Sequence, residues 1–105
     1  MERNDGKKTA EAVPLTAEEE RELFRSLRQV KGVDSQYDQT LEELGEAVAA
    51  ICRFRRGGIG NEGMADAIAD AQIMLEQLQQ NFNLKALTDE IRQRKLLLQK
   101  LKYNL

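Results

Sequence analysis

Acidic side chains gather at two places in this sequence. Glu42, Glu43 and Glu46 fall within five positions, and Asp66 and Asp70 follow about twenty residues later. Glu43 and Glu46, three apart, share one face of a helix, as do Asp66 and Asp70, four apart. If two such helices pack antiparallel, the pairs approach each other. Four carboxylates that close raise one another's pKa strongly unless a cation lies among them. There is no His and one Cys, so the ligands would be oxygens alone. That suits a hard ion, with Mg²⁺ or Mn²⁺ as the default. Mg²⁺ held by carboxylates keeps waters and takes up phosphates, so the chemistry indicated is phosphoryl or pyrophosphate transfer. A solvated acidic face near helix N-termini, favoured by the helix dipole, is the competing account of the same spacing.

Helices must position these residues, and the patterning supplies four. Residues 1–14 read as a disordered lead-in, polar and without period as far as Ala12. Thr16 with Glu19 three residues on is a capping-box signature, and Leu23, Phe24, Leu27 and Val30 continue it as a first apolar stripe that Gly32 interrupts. Ser35 can cap a second helix running to about Arg56, whose apolar positions Leu41, Leu44, Val48, Ile51 and Cys52 predict one buried face. Gly57, Gly58 and Gly60 end it. A third helix, about Asn61 to Asn81, carries Met64, Ile68, Ala71, Leu75, Leu78 and Phe82 as a packing seam. Thr88 is the predicted cap of a basic final helix with Leu87, Ile91, Leu98, Leu101 and Leu105 on one side. The fold class is therefore all-α, a four-helix bundle in one domain over 15–105. Met64, Ala67, Ile68, Ala71, Met74, Leu75 and Leu78 span more than one neighbour would cover, which predicts a symmetric dimer.

Composition narrows the partners. The 105 residues carry a net charge of -2, with 41% hydrophobic and 32% charged residues. That balance offers no general attraction to nucleic acid. No apolar run approaches the ~20 residues of a membrane span. The lone Cys52 and the lack of an apolar leader fit a cytoplasmic protein.

The ordered motifs resemble those of MazG-like nucleotide pyrophosphohydrolases. Glu43-Leu44-Gly45-Glu46 matches that family's E-x-x-E, and the run from Ala49 to Gly57, with Arg53, Arg55 and Arg56, is similar to the close of its first metal helix. Asp66-Ala67-Ile68-Ala69-Asp70-Ala71-Gln72-Ile73-Met74-Leu75-Glu76-Gln77-Leu78 resembles the second metal helix, which reads E-E-I-A-D-V-x-I-M-L-E-Q-L. The similarity covers roughly Leu23 to Leu105. It implies an all-α, Mg²⁺-dependent enzyme that cleaves nucleoside triphosphates to monophosphate and pyrophosphate in nucleotide-pool control, working as a dimer or higher homo-oligomer. Glu43, Glu46 and Asp70 would hold the ion that bridges the triphosphate and helps activate the attacking water.

One position departs from the pattern. The Glu of the family's E-x-x-D falls on Ala67, and Asp66 stands beside it with a shorter side chain, able to ligate only through a water or weakly. Two functional classes therefore stay open: a pyrophosphohydrolase, or a protein that keeps the fold as a nucleotide-binding or helical interaction module. Arg53 and Arg56 are candidate phosphate contacts or a solvated helix end, and Lys95 is a weaker phosphate candidate. Cys52 reads as a small core residue, and Gln36 and Gln39 as solvated polar positions, with contact to a base or ribose as the other reading.

Overall fold

A computed structural model describes residues 13–105, and all the regular structure among them is helical. Four helices follow in order: α1 (Ala17–Lys31), α2 (Val33–Arg55), α3 (Asn61–Asn81) and α4 (Lys85–Lys102). The lead-in expected over 1–14 falls almost wholly outside the described residues. Among the described residues, no helix is long and apolar enough to cross a membrane.

Local chemistry sets the helix ends. Thr16 caps α1 as expected: the Glu19 amide donates to Thr16 Oγ1 at 3.1 Å and the Thr16 amide to Glu19 Oε1 at 2.8 Å. At the end of α2, Gly57 adopts φ 80°. Its amide donates to the Phe54 carbonyl at 3.0 Å, and the Gly58 amide to that of Arg53 at 2.7 Å. This Schellman closure requires a left-handed residue, which glycine supplies without strain, so the glycine run stops a helix. Asn83, at φ 57°, closes α3 in the same way, with the Leu84 amide donating to Gln79 at 2.8 Å.

Two starts differ from expectation. Gly32, at φ 83°, both ends α1 and begins α2, so Ser35 lies inside the helix and no side chain caps it. The last helix starts at Lys85 after Leu84, and Thr88 is likewise internal. In both cases the turn from the preceding helix is tight enough to restart helical geometry before the polar side chain is reached.

Helices α2 and α3 form an antiparallel hairpin that makes most of the tertiary contact, and α1 packs on both. The Gln80 side chain donates to the Arg21 carbonyl at 2.8 Å, and Lys31 Nζ to Gln39 Oε1 at 3.0 Å, which fixes α1 along one flank of the hairpin. The faces in contact are not those that hydropathy marks. The buried residues are Phe24, Gln36, Thr40, Ala50, Met74, Gln77 and Asn81. Leu41, Val48 and Ile51 of α2 are exposed, as are Ile68, Leu75 and Phe82 of α3. Cys52 is exposed as well and is no core residue. Tyr37 stacks on Phe82 with ring centroids 5.7 Å apart, so the two uncovered stripes run along the same side of the hairpin.

Helix α4 stands apart from this. It packs only against α3, and of its 18 residues only Ile91 is even half-buried.

Candidate functional site

The register of the hairpin comes from a buried set of amides. Gln36, at 1% exposure, donates from Nε2 to Gln77 Oε1 at 2.8 Å and accepts from Asn81 Nδ2. Gln77 Nε2 turns to Met74 Sδ at 3.6 Å, and Thr40 Oγ1 donates back to the Gln36 carbonyl at 2.7 Å. Gln36 is thus the most buried side chain of the described residues, where solvation was expected. Its amide is committed to its neighbours.

Two helical turns from this pair lies the acidic set. Seven residues on from Gln36 is Glu43, and seven back from Gln77 is Asp70. Seven residues return a helix to nearly the same face, so the Gln36–Gln77 bond places Glu43 opposite Asp70. Both are half-buried. Glu46 lies seven residues from Gln39 and so turns toward the flank occupied by α1. Asp66 lies fourteen before Gln80 and turns the same way. Ala67, one residue on, points about 100° from it, toward the uncovered apolar side.

Electrostatics reflect the crowding. Partial desolvation pushes the Glu43 carboxyl above its ordinary value of 4.5, and the charges of Asp70, Glu42, Glu46 and Asp66 push it further in the same direction. The other three candidate ligands thus all act on Glu43. As they stand, no three carboxylates among the described residues are drawn close enough to hold a metal ion. By type the residues fit a hard divalent cation: the donors are carboxylates alone, and the repulsion on Glu43 is the charge a cation would relieve.

Stability should report this repulsion. A carboxyl with a raised folded-state pKa binds its proton more readily folded than unfolded, so its contribution to stability falls as pH rises. The cost is full above the folded pKa and is relieved below 4.5. In metal-free buffer at neutral pH, Glu43→Gln is expected to raise Tm, with the gain shrinking as pH falls through that window. Calorimetry of both proteins across pH checks this. A neutral-pH Tm unchanged or lowered by the substitution contradicts it.

The cationic candidates divide. Arg53 lies seven residues beyond Glu46, on the same flank and about 10 Å along the axis. Arg55 and Arg56 are exposed at the hairpin tip. Lys95 is exposed on α4, which packs against neither α1 nor α2 and so is not held against the helix that carries Glu43 and Glu46.

Comparison of the chain with protein-family models, with curated proteins and with solved structures gives no significant match.

Proposed function

We propose that this protein is a MazG-like, Mg²⁺-dependent nucleoside triphosphate pyrophosphohydrolase, producing monophosphate and pyrophosphate in nucleotide-pool control as a homodimer or higher homo-oligomer. The observation that carries the reading is the register that sets Glu43 opposite Asp70, with Glu46 and Asp66 turned to the same flank and the charges of all three acting on Glu43. Glu43, Glu46 and Asp70 would hold the ion, with Asp66 as the fourth acid. A divalent cation there supplies charge neutralisation for the phosphates and a bound water of lowered pKa. Arg53, on the same flank, offers a guanidinium fork to phosphate oxygens, with Arg56 beyond it at the tip. The resemblance of Glu43-Leu44-Gly45-Glu46 and Asp66–Leu78 to the two metal helices of that family supports the substrate class.

A second reading has its own support. Ala67 removes one carboxylate from the motif, and the hairpin leaves a long apolar stripe open. Both features suit a protein that keeps the fold for binding or assembly without turnover.

Pyrophosphate release from a panel of nucleoside triphosphates, with Mg²⁺ or Mn²⁺, separates the two. The expected result is release by the wild type and a loss of at least ~100-fold in Glu46→Ala, because a carboxylate that would bind the ion directly outweighs the 10–100-fold typical of groups that only support the ligands. Glu46 is exposed, so the fold should survive the substitution. No turnover with either ion would remove the enzymatic reading and leave the second.

A further inference from the structure

We propose that the base of the nucleoside triphosphate stacks on Phe54 at the hairpin tip, with the phosphates running back along the flank to Glu46. This placement rests on the reading that the acids hold a triphosphate through a cation, and it fixes which way the nucleoside lies. Helix α1 closes one direction. Its side-chain bonds to the hairpin fall at Gln39 and Gln80, both on the side of Glu43 and Asp70 away from the tip. Ala50, four residues past Glu46, is 4% exposed on the face that meets α3, so the two helices close on each other just beyond the acids. A ligand held at Glu46 and Asp66 therefore extends over the open flank toward the tip.

Along that path lie positive charge and then an aromatic ring. Residues 47–61 include Arg53, Arg55 and Arg56 and no acid. Arg53 and Arg55 are exposed, and neither joins an ion pair among the described residues. Phe54 lies eighteen residues past Gln36, five whole turns, and so returns to the face that meets α3. It is 40% exposed there, at the end of the interhelical groove, with Arg53 and Arg55 about 100° to either side. Guanidinium forks match phosphate oxygens, and an aromatic face accepts any base. Glu62, in the first turn of α3, stands at the base's end rather than the phosphates'.

No other aromatic ring is placed to serve. The sequence has two Tyr, three Phe and no Trp. Phe24 is buried. Tyr37 and Phe82 stack on each other on the uncovered apolar side, away from the flank that Glu46 and Arg53 share. Tyr103 lies past the end of α4 beside Lys102, on a helix that packs only against α3.

Calorimetry of the full chain with Mg²⁺ tests this without turnover. The probes are α,β-methylene analogues of adenosine, guanosine, cytidine and uridine triphosphates, which resist cleavage, and inorganic tripolyphosphate, which has no base. The best-bound analogue should bind at least ~5-fold more tightly than tripolyphosphate, the low end of what one base stacked on an aromatic ring contributes. Phe54→Leu should remove that margin and leave tripolyphosphate binding unchanged, while Phe82→Leu keeps the margin. Because the chain has no Trp, Phe54→Trp adds a single fluorophore at the tip and tests the contact even where the leucine variant folds poorly. The analogue should quench it and tripolyphosphate should not. Failure of every analogue to bind, a margin that survives Phe54→Leu, equal loss of both ligands, or a Phe54→Trp chain left unquenched by bound analogue would each overturn the proposal. The catalytic reading fails separately. A chain that stacks the analogue at Phe54 yet releases no pyrophosphate keeps this placement and loses the enzyme, and turnover with a margin indifferent to Phe54→Leu does the reverse.

Discussion

Ala67→Glu is expected to raise pyrophosphate release by at least ~10-fold and to lower Tm in the presence of a chelator. Ala67 is three residues before Asp70 and half-exposed, so a side chain there is a direct helix-surface neighbour of Asp70. Asp66 neighbours Asp70 from the other side, four residues away, and its short side chain reaches less far. A Glu at 67 would add a longer carboxylate on the open side of Asp70, in the place the E-x-x-D pattern expects one. Helix propensity barely changes between Ala and Glu, so the backbone should accept it. The cost is electrostatic. Glu43 already sits above its ordinary pKa because of desolvation and four neighbouring acids, and a fifth adds to the repulsion until a cation enters. Turnover and Tm should therefore move in opposite directions without metal, and Mg²⁺ should reverse the Tm loss. Steady-state assays and thermal unfolding with and without Mg²⁺ read both. Unchanged turnover together with an unchanged Mg²⁺ response would show that the missing carboxylate is not what limits this site.

The placement of the acids on their helices was legible because it depends on spacing within helices. Glu43 with Glu46 and Asp66 with Asp70 each share a face by periodicity alone, and an antiparallel hairpin is the only short connection between them. What periodicity left open was the rotation of each helix about its axis. That rotation decides that Asp66 turns with Glu46 toward α1 and that Ala67 turns away. The helix ends were legible where one residue carries the geometry, as Thr16 and Gly57 do. They were missed at Ser35 and Thr88, where the preceding turn restarts the helix sooner than a polar side chain would.

Burial was the harder part. A stripe such as Leu41, Leu44, Val48 and Ile51 shows that a face is apolar but not what covers it, and in one chain most of this one is uncovered. The face that does meet α3 is marked by Gln36, Thr40 and Ala50, which hydropathy ranks as unremarkable. Small and amide side chains allow two helices to approach and to bond across the contact. A signal existed: Gln36 lies as far before the glycine loop as Asn81 lies after it, with Gln77 one turn nearer, which is close to the mirror placement an antiparallel amide contact requires.

Gln36→Leu is therefore expected to cost about 2–5 kcal/mol, the largest single-residue stability loss in the hairpin. Leucine matches the volume roughly, so packing alone predicts a small change. The cost comes from the partners. Gln77 Oε1 loses its donor and Asn81 Nδ2 its acceptor, in positions no more than 9% exposed. Each buried polar group stranded in this way costs about 1–3 kcal/mol. For a domain whose whole stability is on the order of 5–15 kcal/mol, such a loss lowers Tm by roughly 8–40 °C, at about 4–8 °C per kcal/mol. The triple change Gln36→Leu, Gln77→Leu, Asn81→Leu should recover most of it, because replacing all partners leaves nothing unsatisfied. The recovered protein should nonetheless have lost its register. The amide pairing is what sets Glu43 against Asp70, so any metal response and turnover should stay depressed while Tm returns. Tm at fixed protein concentration and Mg²⁺-dependent stabilisation, measured on all three proteins, decide it. A triple variant that regains Tm and the full Mg²⁺ response together would show that the apolar and small side chains alone suffice to align the carboxylates.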